Sequence, residues 1–357
     1  MKTHGVEAVN KRWKIIVTTA RIALAGLLFW WVLGQVHWLD FAAADAAGRP
    51  AVRAGMYTLI RGVDGWRLGA AALCALGSVL LAGLRWRVLL AVQQVRLSVR
   101  DALKLTLVGE AFNAVMPGII GGDVAKGYYV ARGRPGKSRI ATSLVASRLI
   151  GLCGCTLWAA MALVLAFMTN RMDASTLRVP AISVALIAAG GLAAATVLAV
   201  ARSPRLAKLR ALGSRLPLAR HAFAAGDAFA EYGRHPTAML HASLLTVGCQ
   251  ALAILSVALI GQGLHLPLPW ANYFVVVPLI LILSAVPLTP GSAGVTEKLY
   301  VVYLAGAADP GAALALALLA RVIALVPALP GAVLYGLGTR LPLADSMRRG
   351  GPSGGVR

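Results

Sequence analysis

Charged residues are scarce in this sequence, and acidic residues are the scarcest of all. Of 357 residues, 13% are charged, and only 13 are Asp or Glu against 35 Lys or Arg. Hydrophobic residues make up 59% of the chain. A soluble fold of this length needs more polar side chains to cover its surface. The composition therefore excludes a soluble globular protein and predicts a protein embedded in a bilayer.

Cysteine and histidine are also sparse, and neither is arranged for chemistry. The four cysteines fall inside apolar runs, without the spacing of a metal site. The six histidines are scattered over chain ends and loops, and the sequence has no nucleophile elbow, paired-histidine motif or phosphate-binding loop. We therefore expect a protein that is not an enzyme and that uses no metal or other cofactor.

Apolar runs recur along the whole chain, and each is long enough to cross a membrane. A helix rises about 1.5 Å per residue, so about 20 residues span the hydrocarbon. The first run follows a basic stretch but exceeds the apolar part of a signal peptide, so we interpret it as a retained signal anchor. The most evident runs cover residues 15–34, 141–168, 179–200, 238–261 and 312–337.

The basic residues are distributed unevenly between the loops, which predicts the orientation. Five segments hold 24 of the 35 Lys and Arg residues, whereas the loops that alternate with them hold seven. Basic residues favour the cytoplasmic side, so we place both termini in the cytoplasm of a bacterial inner membrane. This alternation explains the net charge of +22 without a nucleic-acid partner. The basic segments are residues 1–14, 85–100, 126–139, 202–234 and 340–357.

Two regions must enter the membrane and return to the same side for this orientation to hold. Residues 101–130 and 272–306 each carry proline and glycine in the middle of an apolar stretch. Non-helical backbone at membrane depth is tolerated only where it is buried in protein or lines a wet cavity. We therefore predict two re-entrant hairpins whose breaks are candidates for a site. The breaking residues are Pro117, Gly118, Gly121 and Gly122 in the first hairpin and Pro290, Gly291 and Gly294 in the second.

The two hairpins belong to an internal repeat. The proline-glycine motif at 117–121 recurs 173 residues later at 290–294, and Arg148 recurs at the same offset as Arg321. Combined with the predicted orientation, this gives two units that cross the membrane in opposite directions, an arrangement typical of transporters. The predicted fold is an all-α polytopic membrane protein, an inverted-topology repeat with six full spanning helices and two re-entrant hairpins.

The repeat also defines the predicted domain organisation. We divide the chain into an N-terminal anchor helix and loop (1–67), repeat unit one (68–169), a connecting helix and basic linker (170–237), repeat unit two (238–338) and a tail (339–357).

Arg148 and Arg321 are the leading candidates for binding a substrate. An arginine within the membrane is costly, so each should face the protein interior with a partner. A guanidinium also fits a phosphate in a bidentate clamp, so the two could anchor a lipid phosphate near the midplane. Alternatively, they could form structural ion pairs with acidic residues. The candidate partners are Glu110, Asp123 and Glu297.

The other polar residues near the breaks each have two interpretations. The three acidic residues could balance the arginines or take up protons in a coupled cycle. Asp123 and Glu297 could instead cap the N-termini of returning helices. Lys126, the basic residue nearest the first hairpin, could contact a head group or serve only as an orientation signal. The glycines permit tight turns whatever is transported, and a half-helix N-terminus beside them could receive an anionic head group.

Three stretches of the sequence resemble one known family. Residues 109–126, GEAFNAVMPGIIGGDVAK, strongly resemble the lysylphosphatidylglycerol synthase transmembrane-region family, also called flippase-like proteins. Residues 147–152, SRLIGL, are similar to that family's arginine-bearing helix. Residues 287–297, PLTPGSAGVTE, are similar to its second proline-glycine motif, which ends in glutamate. The resemblance covers about residues 10–340.

The resemblance implies that the protein moves a lipid rather than making one. In the best-known members, this region is joined to a C-terminal aminoacyltransferase domain that makes lysyl-phosphatidylglycerol, which the membrane region carries to the outer leaflet. Only a short polar tail follows Arg340 here, so we expect no aminoacyl transfer. Stand-alone relatives are linked with hopanoids and envelope glycolipids, so the substrate is not inherited. Lys126 stands where relatives often have arginine, and Ser292-Ala293 replaces a commonly glycine-bearing pair.

Three functions are compatible with this sequence. The first is a flippase-like protein that translocates a phospholipid or lipid-linked glycolipid between leaflets, with membrane lipids as partners. The second is an ion- or proton-coupled carrier of a small anionic solute, which the same inverted repeat would serve. The third is a non-transporting partner of a lipid-modifying enzyme, in which the charges only hold the fold together. A homo-oligomer or a lipid-biosynthetic enzyme partner is compatible with each of them.

Overall fold

The structure is a computed structural model, and it describes most of the two predicted repeat units. The described residues are 38–44, 50–53, 55–115, 121–132, 137–168, 181–185, 231–285, 292–305 and 307–337, with the single positions 30, 34, 189 and 289.

The described part of the chain is helical except for one short hairpin. Strands β1 (Phe41–Ala44) and β2 (Pro50–Arg53) pair antiparallel, with Phe41 opposite Arg53. The hairpin is a local feature of the loop before repeat unit one, and the predicted all-α class is confirmed by the helices that make up the rest of the described fold. Four residues are too few to produce a detectable alternation of polar and apolar residues, so sequence patterns do not predict these strands. The short helix α1 (Met56–Arg61) follows them.

Two sets of helices follow in the same order. The first consists of α2 (Gly65–Val92), α3 (Val99–Val115), α4 (Gly121–Ala131) and α5 (Lys137–Met168). The second consists of α6 (Pro236–Gly263), α7 (Trp270–Ser284), α8 (Val295–Tyr303), α9 (Pro310–Ala324) and α10 (Ala328–Gly336).

Four helical segments are long and apolar enough to cross a membrane, which agrees with four of the predicted spans. Two of these segments begin with a proline in the first turn, at α6 and at α9. At α9, the Asp309 side chain also accepts a hydrogen bond from the Gly311 amide. The other two predicted spans, 15–34 and 179–200, lie almost entirely outside the described residues. The four segments are Gly65–Val92, Ser138–Leu165, Pro236–Gly263 and Pro310–Gly336, the last of which combines α9 and α10.

The first helices of the two sets, α2 and α6, pack against each other along their whole length and run antiparallel. Near one end, Ser256 donates a hydrogen bond to the Ala71 carbonyl at 2.8 Å. Near the other, the Tyr232 hydroxyl, which lies just before α6, contacts the Leu89 carbonyl at 3.3 Å. Rising residue numbers in one helix therefore meet falling numbers in the other.

The midpoints of the α2 and α6 helices lie against each other. Ser78 Oγ and Cys249 Sγ lie 3.4 Å apart and are separated by 171 residues in the sequence. Each is the fourteenth residue of a 28-residue helix. The two helices thus contact each other at the middle of both.

The remaining helices exchange partners between the two sets. Helix α3 packs on α10, the last helix of the second set, and α7 packs on α5, the last helix of the first. The α3 and α10 backbones approach closely, because a side chain at Gly331 would collide with the Leu107 carbonyl. Each set therefore packs one of its shorter helices on the last helix of the other set.

The largest buried cluster lies around α6, α7, α8 and α9, and the outer faces of the long helices remain apolar. Burying aliphatic side chains excludes water from the interior and stabilises the helix contacts through close packing. The exposed large apolar residues contact lipid in a membrane-spanning bundle. Fully buried members of the cluster include Ile254, Ile260, Leu279, Ile280, Leu314 and Leu316, and exposed residues include Leu157, Phe167, Leu240, Leu244, Val322 and Leu329.

Candidate functional site

Arg148 on α5 and Asp123 on α4 form an ion pair in the first set of helices. Arg148 Nε lies 2.5 Å from Asp123 Oδ2, and Lys126 Nζ lies 2.9 Å from the other carboxylate oxygen. Asp123 stands in the first turn of α4, so Lys126 follows one turn later on the same face. One carboxylate therefore bridges two cations from two helices.

Arg321 on α9 and Glu297 on α8 form the corresponding pair in the second set. Arg321 Nε lies 2.6 Å from Glu297 Oε1, and the Glu297 side chain is completely buried. The other carboxylate oxygen of Glu297 accepts a hydrogen bond from the Gly294 amide at 2.7 Å. Glu297 thus caps the N-terminus of α8 and holds the arginine at the same time.

The two ion pairs are equivalent in sequence and in geometry. The acidic residue precedes its arginine by 25 residues in the first pair and by 24 in the second. In both, the carboxylate lies in the first turn of the helix after the break, and the arginine presents Nε to it. Of the three acidic residues considered as partners of the arginines, the structure pairs Asp123 with Arg148 and Glu297 with Arg321. Glu110 instead accepts a hydrogen bond from the Asn113 amide group at 3.3 Å.

The glycines near the breaks serve close packing and a turn. The Gly122 amide donates to Asn113 Oδ1 at 2.7 Å, and a side chain at Gly122 would collide with the Gly109 carbonyl. Gly294 has φ 79°, a left-handed conformation that glycine adopts without strain. Gly121 is the first residue of α4. The other predicted breaking residues, Pro117, Gly118, Pro290 and Gly291, lie outside the described residues.

A cavity of about 490 Å³ lies between the two sets of helices, a volume within the usual range of small-molecule sites. Its charged lining residues are Glu110 from α3 and Arg321 from α9, so each set contributes one charge. The described lining does not include Arg148, Asp123 or Lys126, so the two ion pairs are not brought into one chamber. Uncharged polar lining comes from Ser78, Ser256, Ser284, Ser292, Thr296 and Tyr300.

The surroundings of the Arg148 and Arg321 side chains differ. The Arg321 side chain is 35% exposed and lines the cavity, although its carboxylate partner is completely buried. The Arg148 side chain is 39% exposed, and its partner Asp123 is 15% exposed. Each arginine is therefore held by a carboxylate that is less exposed than itself, and the partly exposed Arg321 side chain also lines the cavity.

Arg85 is a further buried arginine, and sequence analysis placed it wrongly in the basic segment 85–100. It lies within α2 and is 8% exposed. Its Nη1 is 3.4 Å from Thr246 Oγ1, a long contact, and its Nε has no hydrogen-bond partner. The guanidinium packs beside Gly151, one turn from Arg148 on α5. The signal that could have revealed it is the apolar stretch that continues from Val88 to Val92 after the Arg85-Trp86-Arg87 triplet.

Within the described part of the chain, no three His, Cys, Asp or Glu side chains lie close enough together to hold a metal ion. The polar groups at the two ion pairs are instead suited to anions. Guanidinium groups bind phosphate and carboxylate with fixed geometry, and an ammonium group such as that of Lys126 adds a point charge.

Comparison with known proteins agrees with this architecture. No curated protein matches the chain. The family described as the lysylphosphatidylglycerol synthase TM region matches residues 18–331, which include both ion pairs and the cavity. Together with the four apolar helices, this match identifies a multi-pass integral membrane protein related to lipid handling. The chain belongs to the lysylphosphatidylglycerol synthase transmembrane-region family.

Proposed function

We propose that this protein translocates an anionic phospholipid or a lipid-linked molecule between the leaflets of a bacterial inner membrane. The observation that carries the proposal is the repeated ion pair, in which a buried carboxylate holds a partly exposed arginine inside each broken-helix unit. A membrane-embedded arginine that lines a cavity marks a substrate path by default. The family's relation to lipid handling supports a lipid as the substrate.

An inverted repeat of two units is part of this proposal. The antiparallel packing of α2 on α6, their contact at Ser78 and Cys249, and the exchange of α3 and α7 between the units support it. Units that face opposite ways can present equivalent sites to opposite leaflets, which is the basis of alternating access. The excess of basic residues in alternate loops supports cytoplasmic termini.

In the proposed mechanism, the head-group phosphate becomes a second partner of each arginine. Asp123 and Glu297 compensate the guanidinium charge while no substrate is bound, which avoids an isolated charge in a low dielectric. An arriving phosphate displaces part of that compensation and forms charge-assisted hydrogen bonds. Lys126 adds a positive charge beside Arg148, so the first pair favours an anionic over a zwitterionic head group.

Lipid exchange in liposomes tests this function. The purified protein is reconstituted with head-group-labelled phosphatidylglycerol, and loss of label from the inner leaflet is followed over time. We expect exchange by the parent chain and a drop of at least about tenfold for Arg321→Ala, since one charge-assisted contact is worth roughly a tenfold change in equilibrium. Arg132→Ala is the matched control, because Arg132 is exposed at the end of α4 and its substitution also removes one positive charge.

Two outcomes would contradict the proposal in different ways. If the folded parent chain exchanges no phosphatidylglycerol or other labelled lipid, translocation is rejected. If it exchanges lipid and both Arg148→Ala and Arg321→Ala match Arg132→Ala, the function stands but the site is wrong. Uptake of glycerol phosphate without lipid exchange would support the solute carrier instead.

A further inference from the structure

A second cavity lies away from both ion pairs, at one end of the α2 and α6 helices. It has a volume of about 450 Å³ and opens between the last turns of α2, the turn that follows, and the first turns of α6. We call it the basic cleft. The described residues that line it are Arg87, Val88, Ala91, Val92, Arg96, Leu97, His235, Thr237, Ala238 and His241.

The polar wall of the basic cleft consists of nitrogen-bearing side chains. Arg87 and Arg96 lie on the α2 side, and His235 and His241 on the α6 side. None of the described lining residues is acidic. Arg87 donates through Nε to the Leu97 carbonyl at 3.0 Å, which fixes its guanidinium at the wall. The arrangement attracts an anion and offers it hydrogen-bond donors from two directions.

The N-terminus of α6 adds backbone donors to the same cleft. The helix has 28 residues and begins at Pro236, with His235 at the N-cap but without a side-chain hydrogen bond to its free amides. The first intrahelical bond runs from the Met239 amide to the His235 carbonyl, so the amides of Thr237 and Ala238 have no partner within the helix. Free amides and the positive end of the helix dipole favour a phosphate.

One acidic residue lies near the cleft and does not neutralise it. Glu231 contacts His235 Nε2 at 3.5 Å and Arg234 Nη1 at 3.3 Å. Glu231 thus engages the α6 side of the cleft at His235, whereas Arg87 and Arg96 stand on the α2 side. Basic pockets of this kind between spanning helices are suited to lipid head groups.

We propose that the basic cleft binds a phosphate-bearing anion, either the head group of an anionic phospholipid or a soluble phosphate ester. The phosphate contacts Arg87, Arg96 and the α6 N-terminus. The apolar floor formed by Val88, Val92 and Leu97 accommodates the glycerol carbons of a lipid. Because the cleft lies at the ends of two spans, it retains a lipid at the membrane surface and takes no part in translocation.

Native mass spectrometry of the full chain tests this site. The protein is released from nanodiscs that contain phosphatidylglycerol and phosphatidylcholine, and the retained lipids are counted. We expect one retained phosphatidylglycerol in the parent chain and at least about tenfold weaker retention in Arg87→Gln/Arg96→Gln, which loses two charge-assisted contacts. The matched control is Arg100→Gln/Arg132→Gln, because both arginines are exposed and lie outside the lining.

The same measurement identifies the source of the phosphate. Competition by inorganic phosphate or glycerol phosphate at concentrations that displace the lipid would assign the site to a soluble ester, and resistance to them would assign it to the lipid. Equal retention by Arg87→Gln/Arg96→Gln and by the control would overturn the proposal. If the double variant fails to fold, His241→Ala must still weaken retention several-fold, because it removes the imidazole N–H donor of the cleft wall at an exposed position.

The site stands independently of the translocation function. Arg148→Ala and Arg321→Ala should retain the bound lipid at the parent level even where they abolish exchange. If those two variants lose the lipid and Arg87→Gln/Arg96→Gln keeps it, the retained molecule is the transported substrate. The basic cleft then binds no lipid, and the proposal is wrong.

Discussion

At the scale of single residues, the Arg321–Glu297 pair combines a fold contact with a site contact. Glu297 is completely buried, so its charge depends on Arg321 and on the Gly294 amide for compensation. Breaking a buried pair leaves an uncompensated charge, which costs about 3–5 kcal/mol. Removing both partners together avoids that penalty.

We therefore predict strong coupling between Arg321 and Glu297. Glu297→Gln and Arg321→Met should each lower the thermal denaturation midpoint in detergent, whereas the double variant should recover a large part of the loss. Differential scanning fluorimetry of the four proteins measures this. Additive losses would show that the two side chains do not stabilise each other. Lipid exchange should remain low in all three variants, because none retains the arginine with its partner.

Arg85 leads to the opposite expectation for stability. Its Nε has no hydrogen-bond partner, and replacing a poorly paired buried polar group by an apolar one of similar volume is often neutral or stabilising. Arg85→Met should keep or raise the denaturation midpoint while lowering lipid exchange several-fold, since a costly charge retained within a membrane usually has a function. A variant that unfolds at lower temperature with unchanged exchange would show that Arg85 is structural.

Asp40 gives the loop before α1 a predicted pH dependence. The Gly55 amide donates to Asp40 Oδ1 at 2.7 Å, and this bond, together with the Thr58 hydroxyl, lowers the pKa of the Asp40 carboxyl. A depressed folded-state pKa means that the contact stabilises the loop above the ordinary carboxyl pKa and is lost as the pH falls through the lowered value. The protection of the Gly55 amide against hydrogen exchange, expressed relative to the intrinsic exchange rate at each pH, should therefore fall in acid, and in Asp40→Asn this protection should no longer change with pH.

At the scale of secondary-structure elements, the close approach of α3 to α4 depends on Gly122. A side chain there would meet the Gly109 carbonyl and Asn113, and backbone cannot yield as a flexible side chain can. Gly122→Ala should destabilise the protein by about 1–3 kcal/mol, as overpacking does. Gly69→Ala is the control, because a Cβ at Gly69 in α2 meets open space and alanine favours helix. Equal denaturation midpoints for the two variants would contradict the described packing.

Sequence patterns predicted the helices better than the contacts between them. The apolar run 238–261 lies within Pro236–Gly263, and the run 141–168 lies within α5. These helices are predictable because the length of an apolar run directly indicates a membrane span. The β1–β2 hairpin was too short to leave a pattern. Basic residues usually mark the ends of spans, so the sequence predicts a loop at Arg85, whereas the packing of α2 on α6 and α5 buries it.

The ion pairs were predictable, but the cavity was not. Charges inside apolar helices require partners, so the sequence limited the candidates for the two arginines to Glu110, Asp123 and Glu297, of which the structure selects the last two. Which of these charged residues line the same cavity depends on how α3 and α9 are positioned by the helices packed between them. That geometry brings Glu110 to the chamber of Arg321 and leaves Arg148 outside its described lining, a result of tertiary packing that no spacing rule contains.

At the scale of the whole molecule, the antiparallel pairing of α2 and α6 predicts which loops share a side of the membrane. Gln94 follows α2 and His235 precedes α6, so both belong to one side, whereas His265 follows α6 at the other. In a background without the four cysteines, a membrane-impermeant maleimide should label Gln94→Cys and His235→Cys from the same side and His265→Cys only from the opposite one. Labelling of Gln94→Cys and His265→Cys from one side would refute the arrangement.

The crossing of α2 and α6 at Ser78 and Cys249 acts as a fulcrum. A lever that turns about its middle moves its two ends equally and in opposite senses, so a tilt that widens the bundle at one membrane surface narrows it at the other. The side chains at this point are small, so a rocking of the two helices would force no bulky groups past each other. In the proposed translocation, such a rigid motion would couple opening on one side of the membrane to closure on the other.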